Sequence, residues 1–134
     1  LLARREHSRA ELESKLRTHS EEPQVVVALL DELERRGWLS ETRFVESLLH
    51  ARRGRFGAAR IARELRRKGV SEDAIERTMA DAAKSEVQTA REVWRKKFGH
   101  APANLAERAR QARFLASRGF DSDVIRRILD QRED

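Results

Sequence analysis

The sequence predicts an all-α protein built as a tandem array of three three-helix repeats, and three observations lead there. Apolar residues recur with a period near 3.6 along almost the whole chain, with no strand-like alternation. Glycines punctuate that pattern where helices should stop, and the apolar positions repeat at 49–50 residues. Apolar burial must come from Leu, Ile, Val and Ala, because only 5% of the 134 residues are aromatic and none is Tyr.

Nine helical segments follow in order: 1–6, 8–18, 22–36, 40–53, 57–68, 71–82, 84–98, 104–118 and 121–131. Ser8 with Glu11, Ser85 with Gln88 and Asn104 with Glu107 have capping-box spacing; Ser40, Ser71 and Asp121 are N-cap residues, and Pro23 suits a first turn. The run VVV at 25–27 is the one strand-like stretch, but it continues as ALLDELERRG, so helix wins. All six glycines are assigned to helix ends. Gly37–Trp38, Gly69–Val70 and Gly119–Phe120 share a pattern in which a left-handed glycine ends the helix and the next apolar residue folds back on its last turn.

Leu12, Leu16, Val26 and Leu30 reappear 49 positions on as Ile61, Leu65, Ile75 and Met79. Fifty further on, Leu65, Val70, Ile75 and Met79 match Leu115, Phe120, Ile125 and Leu129, as Phe44 and Leu48 match Trp94 and Phe98. The expected units are 1–39 (truncated at its amino end), 40–83 and 84–134. Such units stack in a line.

Charge is unevenly distributed along this chain of net +6. Residues 52–68 carry Arg52, Arg53, Arg55, Arg60, Arg63, Arg66, Arg67 and Lys68 with only Glu64 against them, whereas residues 19–50 carry seven acids against Arg35, Arg36 and Arg43. A solvated helix normally mixes its signs, since like charges at i,i+4 repel. The window is therefore the first candidate for contact with nucleic acid or an acidic protein strip, with Arg60, Arg63 and Arg67 on one exposed side of a helix whose buried stripe is Ala58, Ile61, Ala62 and Leu65. Secondary basic patches are Arg4, Arg5 and Arg9; Arg95, Lys96 and Lys97; and Arg108, Arg110, Arg113 and Arg118. Cations at helix ends also complement the dipole or cover the core, so these patches have a structural alternative.

Other chemistry is thinly represented. Without Cys there is no disulfide framework or thiolate, and His7, His19, His50 and His100 are not paired at metal-ligand spacing. No GxxxxGK[ST], GxSxG or HExxH occurs, so neither catalysis nor a cofactor is expected. Trp38 and Trp94 are assigned to the core rather than to base stacking, His7 to a helix junction, and Glu32, Glu34, Glu41 and Glu46 to ordinary solvation. No apolar run approaches a membrane span and the start lacks the apolar stretch of a signal peptide, so a cytoplasmic monomer without membrane contact is expected.

The stretches RREHSRAELESKL at 4–16, RFVESLLHARRGRFGAARIARELRRKGV at 43–70 and RGF at 118–120 resemble the RecX family of bacterial recombination regulators, in order along the chain. The resemblance implies an elongated, curved array that binds the RecA filament on single-stranded DNA and inhibits its ATPase, strand exchange and co-protease action. It also implies that the sequence begins inside the first helix of the first unit. Two other classes stand beside it. A general nucleic-acid-binding helical protein would act by competing for DNA, and a protein-interaction scaffold would have little affinity for naked DNA.

Overall fold

The computed structural model describes residues 5–19 and 22–130. It contains α1 (Arg9–Arg17), α2 (Pro23–Arg35), α3 (Glu41–Arg52), α4 (Ala58–Arg67), α5 (Glu72–Ala83), α6 (Glu86–Lys97), α7 (Leu105–Ser117) and α8 (Ser122–Leu129), and no strand among the described residues. Eight of the expected segments are helices here, and the first, 1–6, lies mostly outside the described residues. Residues 1–4 lie outside the described residues, and Arg5 and Glu6 are not helical.

Local rules account for most boundaries. Ser8 and Glu11 form a full capping box, Asn104 and Asp121 accept from backbone N–H groups of α7 and α8, and Ser40 and Ser71 do the same for α3 and α5. Ser85 does not: its Oγ donates to the Ala82 carbonyl at 3.3 Å, and the backbone there is not extended as an N-cap requires. Glu86 serves elsewhere, its carboxylate accepting from the N–H of Ala58 at 3.0 Å and so capping the start of α4. Burial pushes the Glu86 carboxyl up, the Ala58 hydrogen bond opposes this, and nearby Asp121 reinforces it.

The three matched glycine corners are chemically alike. After α2, α4 and α7, the residue following glycine bonds back to a leucine carbonyl: Trp38 to Leu33 (2.9 Å), Val70 to Leu65 (3.0 Å) and Phe120 to Leu115 (3.2 Å). Val70 and Phe120 are buried as expected, but Trp38 is 60% exposed. Leu39, one residue later, folds back instead, its N–H reaching the same Leu33 carbonyl, and is 4% exposed. The core assignment of Trp38 is thereby corrected.

Glycine 57 is a second correction. It precedes α4 rather than ending a helix and lacks the left-handed backbone of the other five glycines.

The chain divides into two compact units. The first comprises the described residues up to Ala51 with Glu64–Glu76. There Leu12 of α1 packs with Val26 and Leu30 of α2 and with Leu39, flanked by Leu16 and Leu33. The i, i+4, i+7 spacing of Val26, Leu30 and Leu33 makes one stripe of α2 apolar. Full burial of a side chain such as Leu30 contributes about 1.5–3 kcal/mol. The second unit comprises Arg52–Arg63 and the described residues from Arg77. Its core joins Ala90 and Val93 of α6, Leu115 of α7, Phe120, and Val124, Ile125, Ile128 and Leu129 of α8. Gln111, fully buried on α7, accepts from Trp94 Nε1 at 2.8 Å and donates to the His100 carbonyl at 3.3 Å. Trp94 therefore flanks this core with its indole nitrogen satisfied.

In the first unit His7 is buried at the start of α1, as a helix-junction residue should be. Its Nδ1 lies 3.1 Å from the Arg5 carbonyl, which can only accept, so Nδ1 carries the hydrogen and Nε2 faces Lys15 Nζ at 3.5 Å. Burial, then the charges of Arg5 and Lys15, hold its pKa below the ordinary histidine value, against weaker opposing effects of the Arg5 carbonyl and Glu11. Below pH about 6.5 the unfolded chain takes up a proton that the folded chain resists, so stability falls as pH drops and levels off below the folded pKa. Burial also pushes the Glu11 carboxyl up, but the Ser8 N–H and Arg5 outweigh it, so its net shift is downward. The stability contributed by Glu11 is thus lost only below pH about 4.5. The expected result is a melting temperature that declines between pH 7.5 and 5.5 (approximate bounds around the histidine value) and flattens in His7→Gln. An equal slope in both proteins would remove His7 from that role.

A candidate polyanion-binding surface

The basic window of residues 52–68 is partly neutralised from within. Arg66 Nε meets Glu72 at 2.8 Å, and Lys68 Nζ lies 3.6 Å from Glu11 and 3.9 Å from Glu64. These two cations are first of all fasteners of the first unit. Arg53, Arg63 and Arg67 are exposed, and none has an acidic partner among the described residues.

Arg60 is held differently. Its Nη1 donates to the Ser117 carbonyl at 3.0 Å, and its guanidinium stacks over the Phe56 ring at 4.1 Å. Arg55 and Arg118 approach the same ring at 5.4 and 5.6 Å. Three guanidinium groups thus surround Phe56 in the second unit. An aromatic face attracts each of them by about 0.5–1 kcal/mol when exposed, which offsets part of their mutual repulsion.

Arg118 is shared between two rings, lying 4.9 Å from Phe114 as well. Lys97 Nζ sits 5.5 Å from Phe114, which meets Phe98 edge-on at 5.4 Å, and Arg110 lies over Phe98 at 5.5 Å. Beside these rings is a cavity of about 350 Å³ lined by Gly54, Arg55, Val93, Lys96, Lys97, Phe114 and Arg118. Residues that fall in three separate patches of the sequence, Arg55, Lys96 with Lys97, and Arg118, line one cavity.

The remaining basic residues divide. Arg5 pairs with Glu11 at 3.3 Å, and Arg9 pairs with Asp31 at 2.8 Å and with Glu34, so both fasten the first unit. Arg4 lies outside the described residues. Arg108 is paired with Asp130 at 2.6 Å, while Arg95 and Arg113 are exposed. Of the acidic residues read as solvated, Glu32 pairs with Arg35 and Arg36, Glu34 with Arg9, and Glu41 caps Ser71 through both Oγ and N–H. Sequence reasoning does not single out Phe56 or Phe114 as partners of the cations; an aromatic directly inside RRGRF is the available signal.

No three His, Asp or Glu side chains converge on a possible metal position among the described residues. No helix there is long and apolar enough to cross a membrane.

Short helices in two compact units, with arginine and lysine gathered around Phe56 and Phe114 in the second, define an all-α helical-repeat protein with a candidate polyanion-binding surface. Residues 40–79 match the family model for the second three-helix domain of RecX, and residues 84–129 match that for its third. A regulatory protein RecX from Leptothrix cholodnii is 51% identical over 128 residues, covering 96% of this chain and 82% of the relative. Another from Ralstonia nicotianae is 48% identical with 96% and 80% coverage. The crystal structure of RecX from Lactobacillus salivarius has a TM-score of 0.83 at 20% identity, covering 96% of this chain and 89% of that one. The chain belongs to the RecX family of regulatory proteins.

Proposed function

We propose that this chain regulates the RecA recombinase by binding its filament on single-stranded DNA, and that it lowers ATPase, strand-exchange and co-protease activity by obstruction rather than by catalysis. Membership of the RecX family carries the reading. The cationic surface supports it, because a filament offers both phosphates and acidic protein strips. The repeat ranges 1–39, 40–83 and 84–134 belong to the same proposal, as do action as a monomer and a cytoplasmic setting.

The test is single-stranded-DNA-dependent ATP hydrolysis by preassembled RecA filaments, titrated with this protein, with naked-DNA binding measured in the same buffer. Inhibition at salt where naked DNA is not bound supports filament recognition. Inhibition only at concentrations that coat the DNA favours a competing DNA binder. Arg63 and Arg67, exposed on α4 and without acidic partners among the described residues, are the residues to reverse. Arg63→Glu with Arg67→Glu is expected to raise the half-inhibitory concentration by about tenfold or more, since a phosphate that meets no cation keeps its counterions and their release no longer favours binding. Unchanged inhibition would take α4 out of the interface.

A further inference from the structure

The cavity beside Phe114 is unusual in what lines it. Arg55, Lys96, Lys97 and Arg118 supply four positive charges, and its other lining residues are Gly54, Val93 and Phe114, with no carboxylate. The alternative purpose for these cations is to complement helix carboxyl ends, because α3 ends at Arg52, α6 at Lys97 and α7 at Ser117. Arg55 has interactions of its own, so the charges to account for are those of Lys96, Lys97 and Arg118, and three such ends amount to about −1.5 charges, roughly half of them. Several carbonyls at these ends are already satisfied. The Trp94 carbonyl accepts from the N–H groups of Phe98 and Gly99, and that of Arg118 accepts from Gly57 at 2.7 Å. Dipole complementation therefore leaves part of the charge of Lys96, Lys97 and Arg118 unmet.

The groups are also held in place. Arg118 lies between the Phe56 and Phe114 rings, and Lys97 rests against Phe114. Ordering a long cationic side chain opposes binding, and here the rings have already restricted two of them. At about 350 Å³ the cavity lies at the small end of ligand sites, which span about 300–1,000 Å³. A compact anion fits that size and charge.

We propose that this cavity is a phosphodiester seat, holding a backbone phosphate of single-stranded DNA through Lys96, Lys97 and Arg118. The inference rests on the filament-binding reading for its biological setting, but its chemistry is tested without RecA. A strand is favoured over a free nucleotide because no side-chain amide, hydroxyl or carboxylate lines the cavity to recognise a base or sugar. Contacts to phosphate alone position a strand without reading its sequence.

The experiment is anisotropy of a fluorescein-labelled oligothymidylate over a salt series, with wild type, Lys97→Gln, Arg118→Gln and, as a control outside the cavity, Arg53→Gln. Thermal melts verify folding, and Lys97→Gln keeps the test decisive if Arg118→Gln is unstable. Each cavity variant is expected to weaken binding several-fold and to reduce the slope of log affinity against log salt by about 0.7, with Arg53→Gln affected less. Unchanged affinity and slope in folded cavity variants would overturn the seat. So would displacement of the strand by ATP or pyrophosphate at concentrations comparable to the strand's own, which would assign the cavity to a free phosphate. The ATPase titration separates the two readings: wild type that fails to inhibit RecA while its cavity variants lose DNA binding removes the filament reading and keeps the seat, and the reverse pattern removes the seat alone.

Discussion

Gly119→Ala is expected to unfold the second unit at temperatures where wild type is intact. Gly119 has φ +91°, a left-handed backbone that costs an L-residue roughly 1–2 kcal/mol. A Cβ there would also lie 2.3 Å from Arg60 Cβ and 2.7 Å from Arg60 N, and the backbone atom cannot swing aside. Overpacking of this kind costs a further 1–3 kcal/mol or so. Gly57→Ala meets the same crossing from the other side, at 2.4 Å from the Gly119 carbonyl oxygen and 2.7 Å from Phe120 N. The short bond from Gly57 N–H to the Arg118 carbonyl shows why the backbones must approach so closely.

The control for this expectation is Gly37→Ala. Gly37 has φ +76°, and a methyl group there would meet nothing within 4 Å, so the substitution isolates the backbone cost. Using about 4–8 °C per kcal/mol for a unit of this size, melting temperature should fall by about 4–16 °C in Gly37→Ala (backbone cost alone), by about 4–24 °C in Gly57→Ala (clash alone) and by about 8–40 °C in Gly119→Ala, which carries both. No loss in Gly57→Ala together with equal losses in Gly37→Ala and Gly119→Ala would show that the crossing tolerates a methyl group. Because Arg60 and Arg118 flank the crossing, its loss is also expected to abolish strand binding by the second unit.

What is legible in the sequence is whatever depends on near neighbours. Helix period, the Ser8–Glu11 box and the glycine corners are settled within about six residues, and eight helices stand where that logic places them among the described residues. The repeat is legible because the same buried positions recur: Leu65, Val70 and Ile75, like Leu115, Phe120 and Ile125, are each under 9% exposed. Partners distant in sequence are not legible. Lys68 looks unopposed because Glu11, one of its partners, lies 57 positions earlier, and Glu86 caps a helix that begins 28 positions before it. Gly57 reads as a helix end by analogy with its neighbours, yet it is required by a carbonyl more than sixty residues away. Trp38 is misplaced for a smaller reason, a one-residue offset that gives the buried place to Leu39.

Gln111 is equally inconspicuous in the sequence, and its replacement carries the second large expected effect. The sequence pattern assigns this amide no role, but none of its surface reaches solvent. Its Oε1 accepts the Trp94 indole N–H, and its Nε2 donates to the His100 carbonyl and to Glu107, each at 3.3 Å. One side chain thus ties α6, the following turn and α7 together. Gln111→Leu keeps the volume but strands the indole N–H and a carbonyl, and a part-buried unpaired polar group costs about 1–3 kcal/mol. The expected loss is therefore about 2–4 kcal/mol, and Gln111→Glu is no milder: it keeps an acceptor for the indole but turns the donor that faces the His100 carbonyl and the Glu107 carboxylate into a second, buried acceptor. Adding Trp94→Phe to Gln111→Leu removes one stranded donor and should recover part of the stability, whereas Trp94→Phe alone should destabilise. That coupling, measured as a double-mutant cycle by denaturant unfolding, decides the matter. A strictly additive cycle would mean that the Trp94–Gln111 bond contributes nothing. A coupled one would show that the bond helps hold α6 to α7, the helix that carries Lys96 and Lys97 to the helix that ends beside Arg118.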